Sequence, residues 1–413
     1  MTETLAEPAG SPAPAALPFT GFTVVERASM VAGPYGGKLL ADLGADVIKV
    51  EPPEGDPARR QGPFVNAPGD YGALFLYCNG HKRSVTLDDS ARGSRDLLWR
   101  LLDHADVFLS DAPPSELARL GLAPEEARRR WPRLVFASVR PYGMTGPLAE
   151  AASNELDVFH AGGEGKLLPG GLAYKLFPDR PPVKAGRNLA GFDSGMAIAT
   201  LIAAALLRRE TSGTGELIDV SQQEVEISLN RMNLDAQLNA GMALSRAHRG
   251  YDFGGIFACL DGYVTVRPNE DRHWAGLATG LGRVDLVHDP RFAERKGRRD
   301  NADQLNEILQ EFFSRHTMAQ IYEQLGKYGT PVGYFADAAA IHASEQFRER
   351  GWFVTTPVHG QQADLPRPAF RMSLTPPLAP ATAPQLGEHN CDVYAGIGVT
   401  GAQLAGLREA GVV

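Results

Sequence analysis

The stretch FTVVERASMVAGPYGGKLLADLGADVIKVE, residues 22–51, decides the fold of this chain. The β-branched run at 22–26 predicts a short strand, VAGP a turn, and residues 35–43 a helix. A helix-stopping glycine then precedes a second predicted strand over 44–51. Strand, helix and strand within about 30 residues form a βαβ unit, which opens a parallel, doubly wound α/β sheet.

The same pattern continues through the first half of the chain. Further strands are predicted over 83–88, 105–111 and 133–139, with a helix over 94–102. These elements extend one sheet and predict a Rossmann-like domain. The loop after the first strand holds no GxGxxG, and GxxxxGK[ST] occurs nowhere in the chain. The sequence therefore lacks the motifs that usually indicate binding of a nicotinamide, a flavin or ATP.

The middle of the chain shows a different pattern of predicted helices and strands. TSGTGELIDVS predicts a turn and a strand, a helical run follows to about residue 242, and a hairpin is predicted around Asp261 and Gly262. Helical patterns fill 274–328, and a Pro-rich stretch over 357–384 is expected to return to the first domain. The predicted organisation is a disordered tail at 1–18, a large domain at 19–225, a linker helix and small domain at 226–335, and a return to the large domain at 336–413.

Composition narrows the class of protein. A chain of 413 residues with 43% apolar and 22% charged residues is typical of a globular protein of two domains. The net charge of -8 argues against nucleic acid as a partner, because phosphate binding needs a broad basic surface. The three cysteines lie far apart, without metal-ligand spacing, so we expect no metal site and a reducing, cytoplasmic location.

Two segments are relevant to whether the chain is inserted in or anchored to a membrane. The tail at 1–18 has neither a basic n-region nor an unbroken apolar stretch, so we expect neither a signal peptide nor an anchor. The most apolar segment, 195–207, is shorter than the roughly 20 residues of a spanning helix. It is predicted to be a buried helix, and no membrane partner is expected.

Several collinear motifs carry a resemblance that covers nearly the whole chain after the tail. They are AGPYGGKLLADLGADVIKVEPPEGDPAR, NGHKRSVTLD, WPRLVFASVRPYGMTGP, ETSGTGELIDVSQQE, FACLDGYVTV and GEHNCDVYAGIGVTGAQLAGLREAGVV. Together they resemble the class III CoA-transferase family, which includes formyl-CoA transferase, carnitine CoA-transferase and alpha-methylacyl-CoA racemase. The resemblance implies a CoA-binding Rossmann-like large domain built from both chain ends, a smaller α+β domain, and an interlocked homodimer. CoA or acyl-CoA would be a substrate, with no permanently bound cofactor.

The resemblance also implies an activity, the transfer of CoA from an acyl-CoA thioester to a carboxylic acid. Exchange of CoA between acids is nearly energy-neutral and needs no ATP, but the acids cannot exchange CoA directly. An enzyme carboxylate attacks the thioester, giving a mixed anhydride and free CoA thiolate, and an enzyme-CoA thioester follows. By similarity to the segment WDGPP of formyl-CoA transferase, this nucleophile is Asp179 in PDRPP.

Alternative roles of the acidic residues remain open. Asp179 can instead be a turn-forming residue, and Glu155 and Asp157 are typical first-turn acids of a helix. Asp193 lies close to the position of the racemase's catalytic Asp, or else caps the following helix. The racemase also needs a His where this chain has Asn154, which cannot shuttle a proton at neutral pH.

His160, six residues further on, points to another side of the helix, so transfer is favoured over racemisation. A catalytically silent CoA-binding protein is the third hypothesis.

Candidate CoA contacts follow from the same resemblance and from the need for positive charge near phosphates. They are Val31, Ala32, Lys82, Arg83, Asp111, Arg119, Arg140 and Tyr142. Gly254 and Gly255 match the family's mobile glycine loop, which shields the intermediate from water. The chain departs from the family pattern at Pro52, Val31 and Asp111-Ala112, so the acids it uses cannot be copied from any one member.

Overall fold

The computed structural model describes residues 16–65, 71–170, 173–174, 177–248 and 253–413. These described residues group into two compact units. The first consists of the described residues within Met1–Gly162, Gly186–Leu229 and Glu349–Val413, and the second of those within Gly163–Ala185 and Asn230–Arg348. The segment 163–185, which the sequence analysis assigned to the large domain, thus groups with the second unit, and most of the predicted tail lies outside the described residues.

A parallel sheet forms the centre of the first unit. Among the described residues it has six strands in the order β3-β2-β1-β4-β5-β6. They are β1 (Thr23–Arg27), β2 (Asp46–Glu51), β3 (Arg83–Thr86), β4 (Val107–Ser110), β5 (Val135–Arg140) and β6 (Leu217–Ser221). This is the strand order of a doubly wound fold, so the predicted α/β class with a parallel sheet is confirmed.

The helices of the described residues belong to both units. They are α1 (Ala32–Asp42), α2 (Ala73–Asn79), α3 (Ser94–Leu102), α4 (Pro114–Arg119), α5 (Pro124–Arg130), α6 (Glu155–Ala161), α7 (Leu189–Ser212), α8 (Gln222–Leu229), α9 (Arg231–Leu238), α10 (Asp271–Gly280), α11 (Asp285–His288), α12 (Arg295–Asp300), α13 (Ala302–Phe313), α14 (Met318–Gly326), α15 (Ala338–Ala343), α16 (Glu345–Glu349), α17 (Asn390–Gly396) and α18 (Gly401–Glu409). Helix α1 begins three residues earlier than predicted, because Pro34 is tolerated in a first helical turn, where its missing N–H needs no partner.

Both faces of the sheet are buried. Successive side chains of a strand point to opposite faces, so Val24 packs with α1 and α7, and Val25 packs with α3 and α17. This burial explains why the central strands are nearly continuous apolar runs rather than alternating ones.

Helix α17, the penultimate helix of the chain, covers the edge strand β3. The Thr86 backbone N donates to Asn390 Oδ1 at 2.9 Å, and Asn390 Nδ2 donates to Thr86 Oγ1 at 2.7 Å. The Tyr394 hydroxyl donates to the Thr86 carbonyl oxygen at 2.7 Å. These bonds satisfy polar groups at the sheet edge, and through them the C-terminal segment completes the fold of the first unit.

Helices α1 and α7 cross at glycines. A Cβ at Gly195 would lie 2.9 Å from the Ala32 carbonyl oxygen, and one at Gly191 would lie 2.9 Å from Val31 Cβ. Both distances are shorter than ordinary van der Waals contacts, so a side chain at either position would push the helices apart. The glycines therefore bring the first turns of α1 and α7 together.

Helix α7 extends well beyond the predicted segment at 195–207. By length and composition alone it could cross a membrane, and it is the one helix among the described residues that meets this test. Half of its most apolar window is buried, where Ile198, Ile202 and Leu206 pack against the sheet. A buried core helix meets the same test, so the test alone does not indicate a membrane span.

The second unit contains a small antiparallel sheet. Its strands in the described residues are β7 (Gly255–Cys259), β8 (Gly262–Val266) and β9 (Val332–Tyr334). Phe257, Trp274 and Phe313 belong to the apolar core between this sheet and the surrounding helices. The predicted hairpin is present, with its turn at Leu260 and Asp261.

A hairpin in the Pro-rich stretch was not predicted. Strands β10 (Phe353–Val358) and β11 (Gln361–Pro366) pair antiparallel in the first unit and contain Pro357 and Pro366. In a two-stranded sheet every strand is an edge strand, which can accommodate a residue without an N–H donor.

Candidate active site

A cleft lies at the carboxyl edge of the parallel sheet. At this edge, between β1 and β4, the order in which successive strands are added to the sheet reverses. Ligands of open α/β sheets bind at such a topological switch point. A cavity of about 380 Å³ occupies this position, and we call it the sheet-edge cleft. Its lining residues are Arg27, Ala28, Ser29, Val50, Glu51, Pro52, Asp56, Pro57, Leu87, Asp89, Asp111, Ala112, Pro113 and Glu116.

The cleft carries more acidic than basic groups. Arg27, the last residue of β1, forms ion pairs with Asp89 and Glu116. Asp111 accepts hydrogen bonds from the backbone N and Oγ of Ser29, at 2.9 and 3.0 Å, and burial raises the pKa of its carboxyl. Arg27, Asp89 and Glu116 were not predicted as site residues from the sequence. The available signal was that Arg27 ends a strand and that Asp89 and Glu116 follow strands closely.

Two of the candidate CoA contacts, Arg119 and Arg140, differ in their position and burial near this cleft. Arg119 Nη1 donates to the Asp89 carbonyl oxygen at 2.8 Å, and the Arg119 side chain is 52% exposed. Arg140 is buried and donates to the carbonyl oxygens of Asp111 and Ala149, at 2.7 and 2.8 Å. Arg119 therefore presents its charge to solvent beside the cleft. Arg140 instead holds the backbone of Asp111, which lines the cleft.

Tyr142 lies next to the loop that precedes α6. Its hydroxyl is 3.1 Å from the Ser153 hydroxyl, and its side chain is partly buried. Tyr142 does not line the sheet-edge cleft as the described residues define it.

Two other candidates are placed where they cannot bind a phosphate in the cleft. Lys82 is fully buried, and its Nζ donates to both carboxylate oxygens of Glu26, at 3.0 and 2.7 Å. Burial lowers the pKa of Lys82 to about 8. Arg83 is the first residue of β3 and pairs with Asp46, the first residue of β2, so it lies at the amino edge of the sheet, opposite the cleft. Sequence shows charge but not burial, which is why both were predicted as ligands.

A buried ionic network supports the cleft. Lys49 Nζ lies 3.2 Å from Glu26 Oε1 and 2.9 Å from Asp56 Oδ2, and it donates to the Ala28 carbonyl oxygen at 2.8 Å. Asp56 in turn accepts from the Met30 backbone N at 3.1 Å. The network therefore connects β1 and β2 to the loop that forms one wall of the cleft.

A second group of charged residues surrounds the N-terminus of α7. Glu155 Oε1 accepts from the Ala190 backbone N at 3.0 Å, and Glu155 Oε2 accepts from the Gly191 backbone N at 3.1 Å. Asp193, in the first turns of α7, is partly buried, and burial and the Glu155 carboxylate raise the pKa of its carboxyl. We call Glu155, Asp193 and the first turns of α1 and α7 the helix-end site.

The contribution of α1 to this site is its backbone. Val31 is the N-cap of α1 and is buried, as is Ala32, and no side chain caps the helix. The first N–H groups of a helix carry partial positive charge, and those of α1 and α7 meet here because Gly191 contacts Val31. At α7 these groups already hold the Glu155 carboxylate, so the uncapped end of α1 is the one that favours a further anion. Val31 and Ala32 thus belong to the helix-end site and not to the sheet-edge cleft.

Asp157 and Asn154 have a structural role at α6. Asn154 Oδ1 accepts from the Leu156 backbone N at 2.8 Å, and Asp157 Oδ2 accepts from the Asn154 backbone N at 3.3 Å. This is a capping box, which occupies the Asp157 carboxylate. Glu155 is occupied too, because both of its oxygens accept hydrogen bonds from the backbone of α7. Of the three candidate acids on these two helices, Asp193 is the one whose carboxylate is not engaged by the described backbone of a helix end.

Asp179 belongs to the second unit. It lies in a turn with Pro178, is exposed, and has a carboxylate that no described residue holds. Its role as nucleophile stays a prediction.

The two candidate glycines are also in the second unit, at the start of β7. Gly254 and Gly255 have φ of 82° and 109°, values that favour glycine. A Cβ at Gly254 would lie 2.6 Å from the Val266 carbonyl oxygen, and its backbone N donates to Asn306 Oδ1 at 2.9 Å. Both glycines are thus required by the local backbone, and a lid role is an additional proposal.

Glu155→Gln is expected to move the acidic limb of the kcat/KM profile to lower pH. The Glu155 carboxylate contributes to the raised pKa of Asp193, and a neutral amide removes that contribution. A carboxylate nucleophile must be ionised, so activity falls as pH drops through its pKa, and a lower pKa moves that fall downward. The measurement is kcat/KM against pH for both enzymes, with Asp157→Asn as the matched control. An acidic limb unchanged in Glu155→Gln would show that Asp193 is not the titrating group.

Comparison with known proteins gives a consistent result. The sequence model described as CoA-transferase family III matches residues 19–390. Acetyl-CoA:oxalate CoA-transferase of Acetobacter aceti is 32% identical over 345 residues, covering 82% of this chain and 84% of that protein. Succinyl-CoA–D-citramalate CoA-transferase of Chloroflexus aurantiacus is 29% identical over 405 residues, covering 96% of this chain and 98% of that protein.

Solved structures are similar over nearly the whole chain. A CAIB/BAIF family protein from Brucella suis has a TM-score of 0.80 and 31% identity, covering 92% of this chain and all of that one (100%). Rv3272 from Mycobacterium tuberculosis has a TM-score of 0.80 and 29% identity, with the same coverage of 92% and 100%. A further structure of Rv3272, in which one aspartate is replaced by alanine, has a TM-score of 0.79 and 30% identity, covering 93% of this chain and 100% of that one.

Proposed function

The chain belongs to CoA-transferase family III and is a CoA-transferase, and from this premise we propose that it works through a covalent intermediate on Asp193. The substrates are an acyl-CoA thioester and a free carboxylic acid. The related enzymes act on small organic acids such as oxalate and citramalate, so a small organic acid is the proposed acceptor here.

The proposed reaction balances without ATP. A carboxylate oxygen of the enzyme attacks the thioester carbonyl, the C–S bond breaks, and CoA leaves as the thiolate. The thiolate then attacks the enzyme's own carbonyl in the mixed anhydride, which releases the donor acid and leaves an enzyme-CoA thioester. The acceptor carboxylate reverses both steps, so CoA moves to the acceptor and the enzyme carboxylate is regenerated.

The observation that carries this proposal is the helix-end site. The first turn of α1, which no side chain caps, packs against the first turn of α7 that carries Asp193, and its backbone N–H groups are proposed to stabilise the negative charge that develops on the attacked oxygen. The raised pKa of Asp193 makes its carboxylate more basic than an exposed one. Glu155 acts as a positioning residue, because its two oxygens hold the N-terminus of α7.

Asp179 is the second candidate for the nucleophile. Its support is the likeness of PDRPP to WDGPP. Within its own unit it lacks a described partner that would orient its carboxylate, which makes it the weaker choice on geometry.

For CoA itself we propose the sheet-edge cleft. The exposed guanidinium of Arg119, which lies 3.9 Å from Glu116, is the proposed phosphate partner, because Arg27 is held more closely, by both Asp89 and Glu116. The Ser29 and Asp111 pair, which lines the cleft, is the proposed partner of the ribose or adenine.

A homodimer, interlocked as the family resemblance implies, is also part of the proposal. In the first unit, Leu207 and Leu229 are 74% and 59% exposed, and in the second unit Met232 and Leu238 are 80% and 70% exposed. Large apolar side chains exposed to this degree are typical of surfaces that a partner covers.

Trapping with hydroxylamine tests the covalent route. Enzyme mixed with acyl-CoA and hydroxylamine is expected to form a hydroxamate on Asp193, because hydroxylamine attacks both the anhydride and the enzyme thioester. Peptide mass spectrometry locates it, and enzyme with hydroxylamine alone is the control. A hydroxamate on Asp179 would move the nucleophile there.

The absence of any hydroxamate, together with solvent deuterium in the acyl-CoA, would contradict transfer and support racemisation. The absence of both, together with tight CoA binding, would support a silent CoA-binding protein.

A further inference from the structure

A second cavity lies in the C-terminal part of the first unit, apart from both sites described above. Its volume is about 310 Å³, and it shares no lining residue with the sheet-edge cleft. We call it the arginine pocket, and its lining residues are Arg350, Gly351, Trp352, Arg367, Pro368, Phe370, Arg371, Met372, Pro376 and Pro377.

All the charged residues that line this pocket are positively charged. Arg350, Arg367 and Arg371 all contribute to its wall, and none of the described lining residues is acidic. The three arginines are solvent-exposed, so water weakens the repulsion between their like charges without removing it, in a protein whose net charge is -8. A bound anion would relieve this repulsion, and the guanidinium fork matches a carboxylate or phosphate in two parallel hydrogen bonds.

The wall is held together before any ligand binds. Arg367 Nε donates to the Gly351 carbonyl oxygen at 3.0 Å, and the Arg367 backbone N donates to the Trp352 carbonyl oxygen at 2.8 Å. The Arg371 guanidinium donates to the Arg350 carbonyl oxygen. These bonds join two segments that are separate in sequence, 350–352 and 367–371, so the cavity is largely pre-formed and ordering it costs little on binding.

The rest of the wall is apolar and poor in donors. Trp352, Phe370 and Met372 supply apolar surface, and the proline pair at 376–377 has no N–H groups to offer. An inorganic phosphate is usually held by several backbone N–H groups, and three of the ten lining residues, all prolines, have none. The arrangement instead suits an anion with an apolar body.

From these observations we propose that the arginine pocket binds a small organic acid, with its carboxylate on the guanidinium groups and its apolar body against Trp352 and Phe370. The size of the cavity limits the ligand to a small molecule. The site is additional to the transfer reaction and does not depend on which carboxylate is the nucleophile.

Tryptophan fluorescence of the full chain tests the proposal. Of the four tryptophans, Trp352 alone lines this cavity. Titration with benzoate, phenylacetate or hexanoate is expected to give a saturable change in emission that Trp352→Phe abolishes. Calorimetry on Trp352→Phe is expected to show that binding itself persists, because phenylalanine keeps the apolar wall.

Arginine variants test the charge. Arg371→Gln and Arg350→Gln are each expected to weaken binding of the acid at least about tenfold, the loss of one charge-assisted hydrogen bond. Arg129→Gln, an exposed arginine outside the pocket, is the matched control and is expected to bind as the parent does. Circular dichroism of each variant checks that it is folded, and Arg371→Lys provides a second variant at that position.

Three results would overturn the proposal. They are no saturable response to any of the organic acids, tighter binding of inorganic phosphate than of benzoate, and undiminished binding in both folded glutamine variants.

Discussion

Asp193→Asn is expected to lower kcat by at least about 10⁴-fold, because an amide cannot attack a thioester and Glu155, the other carboxylate of the helix-end site, is held by the backbone of α7. The affinity for CoA is expected to stay close to that of the parent enzyme, since the sheet-edge cleft shares no residue with that turn of α7. The measurement is steady-state transfer of CoA from an acyl-CoA to an acceptor acid, with CoA binding followed separately by calorimetry.

Asp179→Asn is the matched variant, the same change at the other candidate. It is expected to lower kcat much less, because Asp179 is exposed and no described residue orients its carboxylate. The opposite ranking, with Asp179→Asn inactive and Asp193→Asn near normal, would assign the nucleophile to Asp179. Equal and small effects in both variants would contradict a covalent carboxylate at either position.

Lys49→Met is expected to reduce the free energy of unfolding by about 3–5 kcal/mol, the cost of removing one partner from a buried ion pair. Burial by itself lowers the pKa of Lys49, but the carboxylates of Asp56 and Glu26 outweigh it and the net shift is upward. The ammonium group is therefore charged in the folded protein, and its removal leaves those two carboxylates without this compensating charge. Urea unfolding monitored by circular dichroism measures the loss.

Arg83→Gln provides the contrast for Lys49→Met. The Arg83 and Asp46 side chains are 34% and 44% exposed, and an exposed pair of this kind contributes only about 0–1 kcal/mol. If Lys49→Met were no more destabilising than Arg83→Gln, the buried network would not be the support of the cleft that its contacts suggest.

Much of the sheet was predictable because its signals are local. The helix over 94–102 has the bounds that were predicted, and the strands of the sheet lie within two residues of theirs at most ends. The hairpin β10–β11 escaped prediction because its prolines are read as loop signals, and only pairing at an edge makes them acceptable.

The candidate site was harder to predict, because charge in a sequence does not reveal burial. Lys82 and Arg83 are adjacent and equally basic, yet Lys82 is buried against Glu26 and Arg83 is exposed at the opposite edge of the sheet from the cleft. Glu155 and Gly191 are 36 positions apart, and only the packing of α6 against α7 brings their groups within 3.1 Å.

By itself the sequence determined the α/β class, the parallel sheet and the CoA-transferase family, because periodicity, turn residues and collinear motifs are properties of short segments. Only the tertiary structure decided which charged side chains support the fold and which face a ligand. It brought Asp193, Glu155 and the first turns of α1 and α7 together, and it assembled three arginines around one small cavity. The physical reason is that desolvation and Coulomb interactions depend on distances between residues far apart in the chain, which close packing of helices and strands creates.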